Sequence, residues 1–373
     1  MEPQKLRLGF LLAAAALCLA FPLPLAPSVP RLLSQPGMWP TNVAAGILFV
    51  LAAWYADGRA SAVGMAGVIL AAAASLVLLQ NPAIAGSARA GFWMIVIAVW
   101  LAGAICVTNL AALRSVRAER QKMFNLLVPL LFGAVLFYLW EVAVRGFGVS
   151  PVLLPSPSAA AAKFITSLPT LGADFVQTFI RGVLVGYVIG CGAGLLVAIL
   201  AHRFAFLGRG LLPLGNFFSA LPLVGLAPIM VMWFGFDWPS KAAVVALVTF
   251  FPMLVNTLAG LSASGHVERD LMRCYAASYP QTLTRLYLPA ALPFIFNALK
   301  INATLSLIGA IVAEFFGTPT QGIGFRISTE AGRMAIDMVW AEIALAALAG
   351  MAFYGFVTLA ERATTFWHPS YRT

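Results

Sequence analysis

The feature that most limits the fold of this chain is a long series of apolar stretches separated by short polar loops. A helix that crosses the hydrocarbon core of a bilayer needs about 20 mostly apolar residues, and most of these stretches approach that length. Only 10% of the 373 residues are charged, whereas soluble domains carry about 25% charged residues. The sequence therefore predicts an all-α integral membrane protein with about ten transmembrane helices.

The predicted spans follow one another along the whole chain, and the second is the shortest of them. They run approximately over Leu8–Ala26, Val43–Ala56, Ala62–Leu79, Phe92–Leu113, Phe124–Val144, Phe175–Ala201, Leu211–Phe234, Ala242–Leu261, Ala291–Phe316 and Met338–Ala360. The first span is open to two interpretations, a cleaved signal peptide or a retained anchor. The stretch AFPLPLAPSVP lacks a small-x-small cleavage site, which favours a retained anchor.

The net charge of +10 is compatible with a nucleic-acid-binding protein, but the basic residues are spread over many short loops. This distribution is typical of loops that lie against the cytoplasmic leaflet, so we expect membrane lipid and no nucleic acid among the partners. With the N-terminus inside, Lys and Arg are enriched in the cytoplasmic loops, most densely at Arg114–Lys122. Both termini are therefore predicted to be cytoplasmic.

The composition of the spans changes at the basic segment RSVRAERQKM. Before it, residues 1–113 form a predicted membrane module of four extra spans, rich in Ala and Leu. The segment itself, residues 114–123, is a predicted basic cytoplasmic linker. Residues 124–373 then carry polar and glycine residues inside their helices, and we predict that they form the working part of the protein.

Two spans of the working part have unusual compositions. The span Phe175–Ala201 contains glycines at positions that allow a close helix approach, either in ordinary packing or at a subunit interface. These are Gly182, Gly186, Gly190, Gly192 and Gly194. In the next span, Pro222 and Pro228 predict a kinked or unwound helix, because proline interrupts the backbone hydrogen bonds of a helix.

Charged residues inside spans are the candidates for a functional role, because their burial in a membrane is costly. Lys300 has two open interpretations: its side chain reaches the cytoplasm, or it lines a polar path with Asn297 and Asn302. Glu314 is either a carboxylate bound by nearby amides, or by Arg326 or Arg333, or a group that contacts substrate.

The sequence contains no arrangement of side chains that is typical of catalysis or metal binding. The histidines are scattered, and no paired carboxylates, Ser-His pair or Cys-His pair is evident. No G-x-x-x-x-G-K-[ST] motif occurs, so the chain is not expected to bind ATP by that route. We therefore predict no catalytic residues, no metal site and no cofactor of its own.

A short polar segment, YAASYPQTLTRLYLPAALP, lies between two apolar runs. Ser278 is a suitable N-cap, and Pro280 falls in the first turn, where its missing N–H does no harm. We predict an amphipathic helix over Tyr279–Tyr287 that ends at Pro289. Such a helix is either a docking element for a cytoplasmic partner or an interfacial linker.

The segment DLMRCYAASYPQTLTRLYLP resembles the EAA loop of permease subunits of bacterial ABC importers. Asp270 stands at the family's Glu position and Ala276 at its Gly position, while Ala277 and Ser278 match the Ala-Ser that often follows. Leu271 and Met272 replace the two alanines, and Leu288-Pro289 matches the Leu-Pro ending. Three further stretches, beginning LWEVAVRGFG, PLVGLAPIMV and LPAALPFIFN, resemble the nitrate/sulfonate/taurine/pyrimidine group of these permeases. The resemblance extends over about Phe124 to Pro369.

The resemblance implies a C-terminal six-span type I ABC importer permease (MetI-like) core, preceded here by four extra spans. It implies a homodimer in a bacterial plasma (inner) membrane, a cytoplasmic ABC ATPase dimer that binds the ATP, and a periplasmic or lipid-anchored solute-binding protein. The implied ATPase-coupling residues are Asp270, Ala276, Ala277, Ser278, Tyr279, Pro280 and Gln281. The candidate translocation-path residues are Lys300, Asn302 and Glu314.

The resemblance implies import of a small anion, sulfonate or heteroaromatic compound by alternating access. Ala276 departs from the family pattern, and we expect it to form a tight turn with a negative φ, because alanine disfavours the left-handed region.

The alternative function is an ion-coupled secondary transporter, which predicts acidic relays near the middle of the membrane. The acidic residues lie near span ends instead. A membrane enzyme is a further alternative, and no catalytic constellation supports it.

Overall fold

The computed structural model describes residues 3–29, 31–35, 38–55, 58–113, 118–219, 222–317 and 320–367. Within these ranges the regular structure is helical, apart from one isolated bridge between Ala26 and Val29. The predicted all-α class is therefore confirmed. By backbone contacts the chain divides into two compact units, Met1–Ala161 and Ala162–Thr373.

Among the described residues, seven helical stretches are long and apolar enough to cross a membrane, and three shorter apolar helices accompany them. The long ones are Ala60–Leu78, Ala90–Ala112, Gln121–Phe147, Leu168–Arg203, Trp238–Ser262, Tyr279–Glu314 and Ile336–Thr364. The shorter ones are Leu6–Ala20, Met38–Trp54 and Leu223–Phe234. Each overlaps one predicted span, although the helix Tyr279–Glu314 starts well before the predicted Ala291 and Leu223–Phe234 starts well after the predicted Leu211. The expectation of about ten spans agrees with the helices found.

The described residues of the first unit form five long helices and the beginning of a sixth helix. They are α1 (Pro3–Ala20), α2 (Met38–Trp54), α3 (Gly58–Leu78), α4 (Ala90–Ala112), α5 (Ala118–Phe147) and the start of α6 (Pro157–Thr166). A single cluster of buried side chains, including Phe10, Phe49 and Phe92, joins them. Tyr138 of α5 is 2.7 Å from the Ser75 hydroxyl of α3, so α5 is tied to the helices that precede it.

The contact boundary at residue 161 differs from the predicted boundary, which places Phe124 at the start of the working part. Of the predicted linker, residues 114–117 lie outside the described part of the chain, and the remainder is helical because α5 begins at Ala118. The division into residues 1–113 and 124–373 is a division by composition and resemblance. It stays a prediction about function, and contacts within one chain do not test it.

The second unit contains the remaining helices. They are α7 (Leu168–Phe175), α8 (Val185–Arg203), α9 (Ala205–Ser219), α10 (Leu223–Phe234), α11 (Trp238–Ser262), α12 (His266–Cys274), α13 (Tyr279–Thr282), α14 (Leu288–Glu314), α15 (Ile323–Gly332) and α16 (Ile336–Thr364). Its centre is the packing of α11 against α8 and α14. Buried residues of these helices and of α16, such as Tyr187, Val245 and Phe353, form the main apolar cluster.

Glycines make the close approach of α8 and α11 possible. A Cβ added at Gly186 would overlap the Ala242 carbonyl, and one added at Gly194 would overlap the Phe250 carbonyl. Gly190 faces Ala246 of α11 in the same way, whereas no atom lies within 4 Å of a Cβ added at Gly192. For the three glycines that face α11, ordinary packing within the chain is therefore the correct interpretation.

The predicted break in the proline-containing span is confirmed. The stretch Leu211–Phe234 consists of two helices, since α9 ends at Ser219 and α10 begins at Leu223. Pro222 is the N-cap of α10, with an extended backbone conformation (φ −68°, ψ 118°). The second proline, Pro228, lies inside α10 without ending it.

The predicted helix end at Pro289 is wrong. The helical backbone runs without a break from Tyr279 to Glu314, over 36 residues, because a π-helical segment, Leu283–Tyr287, joins α13 to α14. The Leu288 N–H bonds to the Leu283 carbonyl, five residues earlier. This wider turn moves the preceding carbonyls out of the α-helical register, which relieves the clash a proline ring otherwise makes with the carbonyl four residues before it. A second π-helical segment, Val176–Leu184, joins α7 to α8.

Candidate functional site

The residues predicted to couple to an ATPase lie together at one end of the second unit, on α12, α13 and the turn between them. We call Asp270–Gln281 the coupling segment. Asp270, Ser278 and Pro280 are exposed, and α12 has no buried residue. The Asp270 carboxylate accepts an ion-paired hydrogen bond of 3.2 Å from Arg273, with both side chains mostly exposed. Such a pair contributes only about 0–1 kcal/mol, so Asp270 is accessible to a partner.

Ala276 adopts a left-handed conformation with φ +48°, so the expectation of a negative φ is wrong. The Ala276 N–H bonds to the Arg273 carbonyl at 2.9 Å, and the Ala277 N–H bonds to the Met272 carbonyl at 3.0 Å. This pair of bonds defines a Schellman motif, which ends a helix with a left-handed residue that is usually glycine. The capping geometry outweighs the intrinsic preference of alanine, at a cost of about 1–2 kcal/mol.

Ser278 is the N-cap of α13, as predicted. Its backbone N–H donates to the Gln281 side-chain oxygen at 2.8 Å, and its hydroxyl does so at 3.1 Å. Pro280 stands in the first turn, where no backbone donor is needed. Gln281 therefore fixes the start of α13, and the coupling segment has a defined shape before any partner binds.

Tyr279 is the residue of the coupling segment whose side chain points back into the protein. Its hydroxyl is 3.3 Å from His202 Nδ1 and 3.4 Å from the Ile199 carbonyl, both on α8. The Arg203 guanidinium lies 4.6 Å from the centre of its ring. The coupling segment is thus attached to the last turn of α8 as well as to α14.

The three candidate path residues lie in packed contacts on α14. Lys300 donates to both carboxylate oxygens of Glu361 on α16, at 2.9 and 3.1 Å. Asn302 is fully buried and donates to the Thr249 carbonyl at 2.8 Å and to the Cys191 sulfur at 3.2 Å. Neither of the two interpretations of Lys300 included this ion pair, because Glu361 lies 61 residues away in the sequence.

Glu314, the third candidate, is the last residue of α14. Its side chain contacts the π-helical segment Val176–Leu184 and α15. It accepts hydrogen bonds of 2.7 Å from the Thr178 hydroxyl and 2.7 Å from the Gly324 N–H. The Thr178 hydroxyl oxygen in turn accepts a bond of 2.8 Å from the Ile323 N–H. We call Thr178, Glu314 and the backbone of residues 322–324 the α15 clamp. The expected binding by amides is correct.

Arg326 and Arg333 bind other carboxylates, contrary to the expected pairing with Glu314. Arg326 donates to Asp174 at 2.8 Å, and Arg333 donates to Glu330 at 3.1 Å. Asp174 is fully buried and also accepts from the Gly322 N–H. Its hydrogen bond with Arg326 raises the pKa of that guanidinium above its ordinary value. Asp174 was missed in the sequence, where it stands in a short loop-like stretch without a motif.

Lys241 is a second functional candidate that sequence reasoning missed. Its side chain is almost fully buried, and its amino group donates to the carbonyls of Phe236 and Gly317. Near it, the Asp237 carboxylate caps α11 and accepts a bond of 2.9 Å from Gln177. The hydrogen bond from Gln177, with that from the Trp238 N–H, lowers the pKa of Asp237. The only signal in the sequence was a lysine that follows Trp-Pro-Ser at a span start.

Within the described residues, no group of His, Cys, Asp and Glu side chains is arranged to hold a metal ion. The polar side chains of the second unit bind backbone groups of its helices and loops or one another. This arrangement can hold helices and loops in register, and the coupling segment is exposed beside it.

Comparison with known proteins identifies the second unit. Residues 190–366 match the family described as "Binding-protein-dependent transport system inner membrane component". This match contains the coupling segment and all three path candidates, and it lies in the C-terminal part, where the permease core was predicted.

Individual relatives match a longer part of the chain than the family model does. The chain is 30% identical over 273 residues to a Bacillus subtilis protein named as an aliphatic sulfonates transport permease, covering 72% of this chain and 97% of the relative. It is 30% identical over 247 residues to the formylaminopyrimidine transport permease protein of Halalkalibacterium halodurans, covering 66% and 98%.

A third relative is the taurine transport system permease protein of Escherichia coli, 28% identical over 250 residues, covering 63% of this chain and 87% of the relative. These relatives are named as transport permease proteins, and helices of this chain have the length and hydropathy of membrane spans. The chain belongs to the family of inner-membrane permease components of binding-protein-dependent ABC importers.

Proposed function

We propose that this chain is the subunit through which a separate ATPase dimer drives the import of a small solute by alternating access. In this proposal the coupling segment docks on the ATPase. ATP-driven closure of the ATPase dimer pulls the coupling segments of two permease copies together and swings the spans from inward-open to outward-open. ATP is held by the partner, since the chain lacks a phosphate-binding loop of its own.

The observation that carries this proposal is the continuous helix from Tyr279 to Glu314. Its first turn belongs to the exposed coupling segment, and its last residue belongs to the α15 clamp. A displacement of α13 is therefore transmitted along a backbone of 36 residues without passing through a flexible loop. The Schellman motif at Ala276 and the cap at Ser278 give the docking end a fixed shape, which suits a small contact that must transmit force.

The remaining partners follow from the kind of system to which the relatives belong. We propose a homodimer of this permease in a bacterial inner membrane, with both termini in the cytoplasm. A periplasmic or lipid-anchored solute-binding protein delivers the solute. In this orientation α12 and α13 face the cytoplasm, and the loops around the α15 clamp face the binding protein.

The path assignments of Lys300, Asn302 and Glu314 stay predictions. The contacts of Asn302 and Glu314 support a structural role, because both side chains are buried and hydrogen-bonded to neighbouring helices or loops. Lys300 keeps some exposure beside Glu361, with about a fifth of its side chain accessible (21%), so it is the better candidate for contact with solute. The proposed solute class is a small anion, sulfonate or heteroaromatic compound, as the names of the relatives suggest.

Crosslinking tests the docking proposal. A Ser278→Cys variant in a Cys274→Ser background should form a thiol-specific crosslink to the ATPase subunit in the assembled complex. The native Cys274 has to be removed because it is exposed on α12. A Ser328→Cys variant is the matched control, since Ser328 is also exposed but lies on α15. Equal crosslinking of the two variants, or none at Ser278→Cys, would contradict the proposal.

A further inference from the structure

The end of α8 is attached to the start of the coupling helix by a compact group of aromatic and basic side chains. Tyr279 makes the contacts with Ile199, His202 and Arg203 described above, and the ring of Tyr287 meets the His202 ring edge-on, with centroids 4.6 Å apart. We call these five residues the Tyr279 clasp. It joins one turn of α8 to both α13 and the π-helical segment that follows α13.

The clasp provides a connection that the backbone does not. α14 continues from α13 as one helix, so it follows any displacement of the coupling segment directly. α8 lies 77 residues earlier at His202 and shares no backbone with α13. Its end can follow the coupling segment through tertiary contacts, and the clasp residues supply such contacts.

Further contacts tie α8 to α14 along their length. At mid-span, the Tyr187 hydroxyl donates to the Leu299 carbonyl at 3.0 Å. At the opposite end, Thr178 donates to Glu314 in the α15 clamp. The stretch Leu168–Arg203 is itself a continuous helix of 36 residues. The two long helices are thus joined at three levels, and the clasp is the joint at the coupling segment.

The contacts of the clasp suit a connection that keeps its geometry when the coupling segment moves. Tyr279 is fixed in two ways at once, by polar contacts at its hydroxyl and by a cation above its ring, and these respond to different substitutions. Arg203 and Tyr279 keep part of their surface accessible, whereas Ile199 and Tyr287 pack against the main apolar cluster, so the clasp lies at the edge of that core.

We propose that Tyr279 is a positioning residue that makes α8 move together with the coupling segment when the ATPase acts. This inference rests on the proposed function, since it assumes that the ATPase displaces the coupling segment. It assigns to Tyr279 a role inside the permease, and leaves direct ATPase contact to the exposed residues beside it, such as Pro280 and Gln281.

Hydrogen exchange in the assembled complex of permease and ATPase tests the inference without knowledge of the solute. Exchange of backbone amides is compared between the nucleotide-free complex and the complex trapped with Mg-ATP and vanadate. The peptides of interest cover residues 266–282 and 196–204. In the wild type, we expect nucleotide-dependent changes in both.

Substitutions in the clasp should change the nucleotide response of one peptide and leave that of the other. In Tyr279→Ala, the change in 266–282 should persist, while the change in 196–204 should fall at least threefold. Tyr279→Phe, which keeps the ring and loses the hydroxyl, should show an intermediate fall, and Arg203→Gln provides a second route if Tyr279→Ala does not fold. Tyr354→Ala is the matched control, because it removes a half-exposed tyrosine from α16 and should leave both changes as in the wild type.

The outcomes distinguish the docking proposal from the proposed role of the clasp. If nucleotide causes no change in 266–282 of the wild type, the docking proposal itself is contradicted. If 266–282 responds but 196–204 responds equally in wild type, Tyr279→Ala, Tyr279→Phe and Arg203→Gln, docking stands and the role of the clasp is wrong. A wild type in which 196–204 does not respond at all would also overturn the role of the clasp.

Discussion

The Thr178 hydroxyl donates a hydrogen bond of 2.7 Å to the Glu314 carboxylate, although the two residues are 136 positions apart in the sequence. The same hydroxyl oxygen accepts from Ile323, and the second carboxylate oxygen accepts from Gly324. This contact joins the last residue of the helix Tyr279–Glu314 to the π-helical segment of the helix Leu168–Arg203. The Tyr279 clasp joins the same two helices at the coupling segment. A proposed path residue thus has a defined structural role in the α15 clamp.

The substitution Glu314→Gln tests that role. The carboxylate accepts bonds from two donors, whereas a glutamine amide offers a single acceptor oxygen, so either the Gly324 N–H or the Thr178 O–H loses its acceptor. We expect a loss of about 1–3 kcal/mol in the free energy of unfolding, seen as a lower midpoint in thermal unfolding. Glu119→Gln, on the exposed start of α5, is the control and should change little. An unchanged midpoint in Glu314→Gln would contradict the clamp.

The left-handed conformation of Ala276 predicts that Ala276→Gly stabilises the coupling segment. Alanine costs about 1–2 kcal/mol in this region, and glycine adds back about 0.5–1 kcal/mol of unfolded-state entropy. The expected net gain is about 0.5–1 kcal/mol, measured as slower hydrogen exchange of the 275–278 amides. Ala277→Gly is the control, since the φ of Ala277 is not positive. It should speed exchange, and a gain in both variants would argue against the Schellman geometry.

The burial of Lys241 predicts that loss of its amino group strongly destabilises the protein. Lys241→Met leaves the Phe236 and Gly317 carbonyls without the donor that the buried Lys241 side chain provides. Each lost partner costs about 1–3 kcal/mol, so thermal unfolding should show strong destabilisation. Lys163→Met removes a half-exposed lysine whose amino group is 3.6 Å from Asp337, and it should cost less than about 1 kcal/mol. Comparable losses in the two variants would rule out a structural role for Lys241.

The packing of α8 on α11 predicts opposite effects for neighbouring glycines. Gly190→Ala places a methyl group against the Ala246 backbone and should cost about 1–3 kcal/mol, because the two backbones must separate. Gly192→Ala, two residues on, meets open space and should be neutral or stabilising by up to about 1 kcal/mol, from helix propensity. Detergent-solubilised variants compared by thermal unfolding check the sign at each position.

Local chemistry explains why part of this structure was predictable. The cap at Ser278, the break at Pro222 and the apolar spans each depend on residues close together in sequence, so their patterns are visible before folding. The motif that ends α12 is also local, but its φ at Ala276 was predicted wrongly. There, the two hydrogen bonds of the motif override the preference of a single residue.

Contacts between distant residues account for what was missed. Glu361 opposite Lys300, Asp174 opposite Arg326 and Thr178 opposite Glu314 are set by how helices cross, and no sequence spacing records these pairings. Lys241 looked like an ordinary loop lysine, because its burial depends on the Gly317 carbonyl far along the chain. The π-helical segment before Pro289 likewise depends on the continuity of α13 with α14, which a proline in the sequence argues against.

The most direct test of the central claim is purification of this chain from its native membrane, followed by identification of bound proteins and an assay of ATP hydrolysis. The proposed function predicts a complex that contains an ABC ATPase in equal amount to the permease and hydrolyses ATP. Loss of the ATPase from complexes of a coupling-segment variant such as Pro280→Asp, with the permease still folded, would locate the contact. A purified, folded chain that carries no ATPase and shows no ATP hydrolysis would contradict the account.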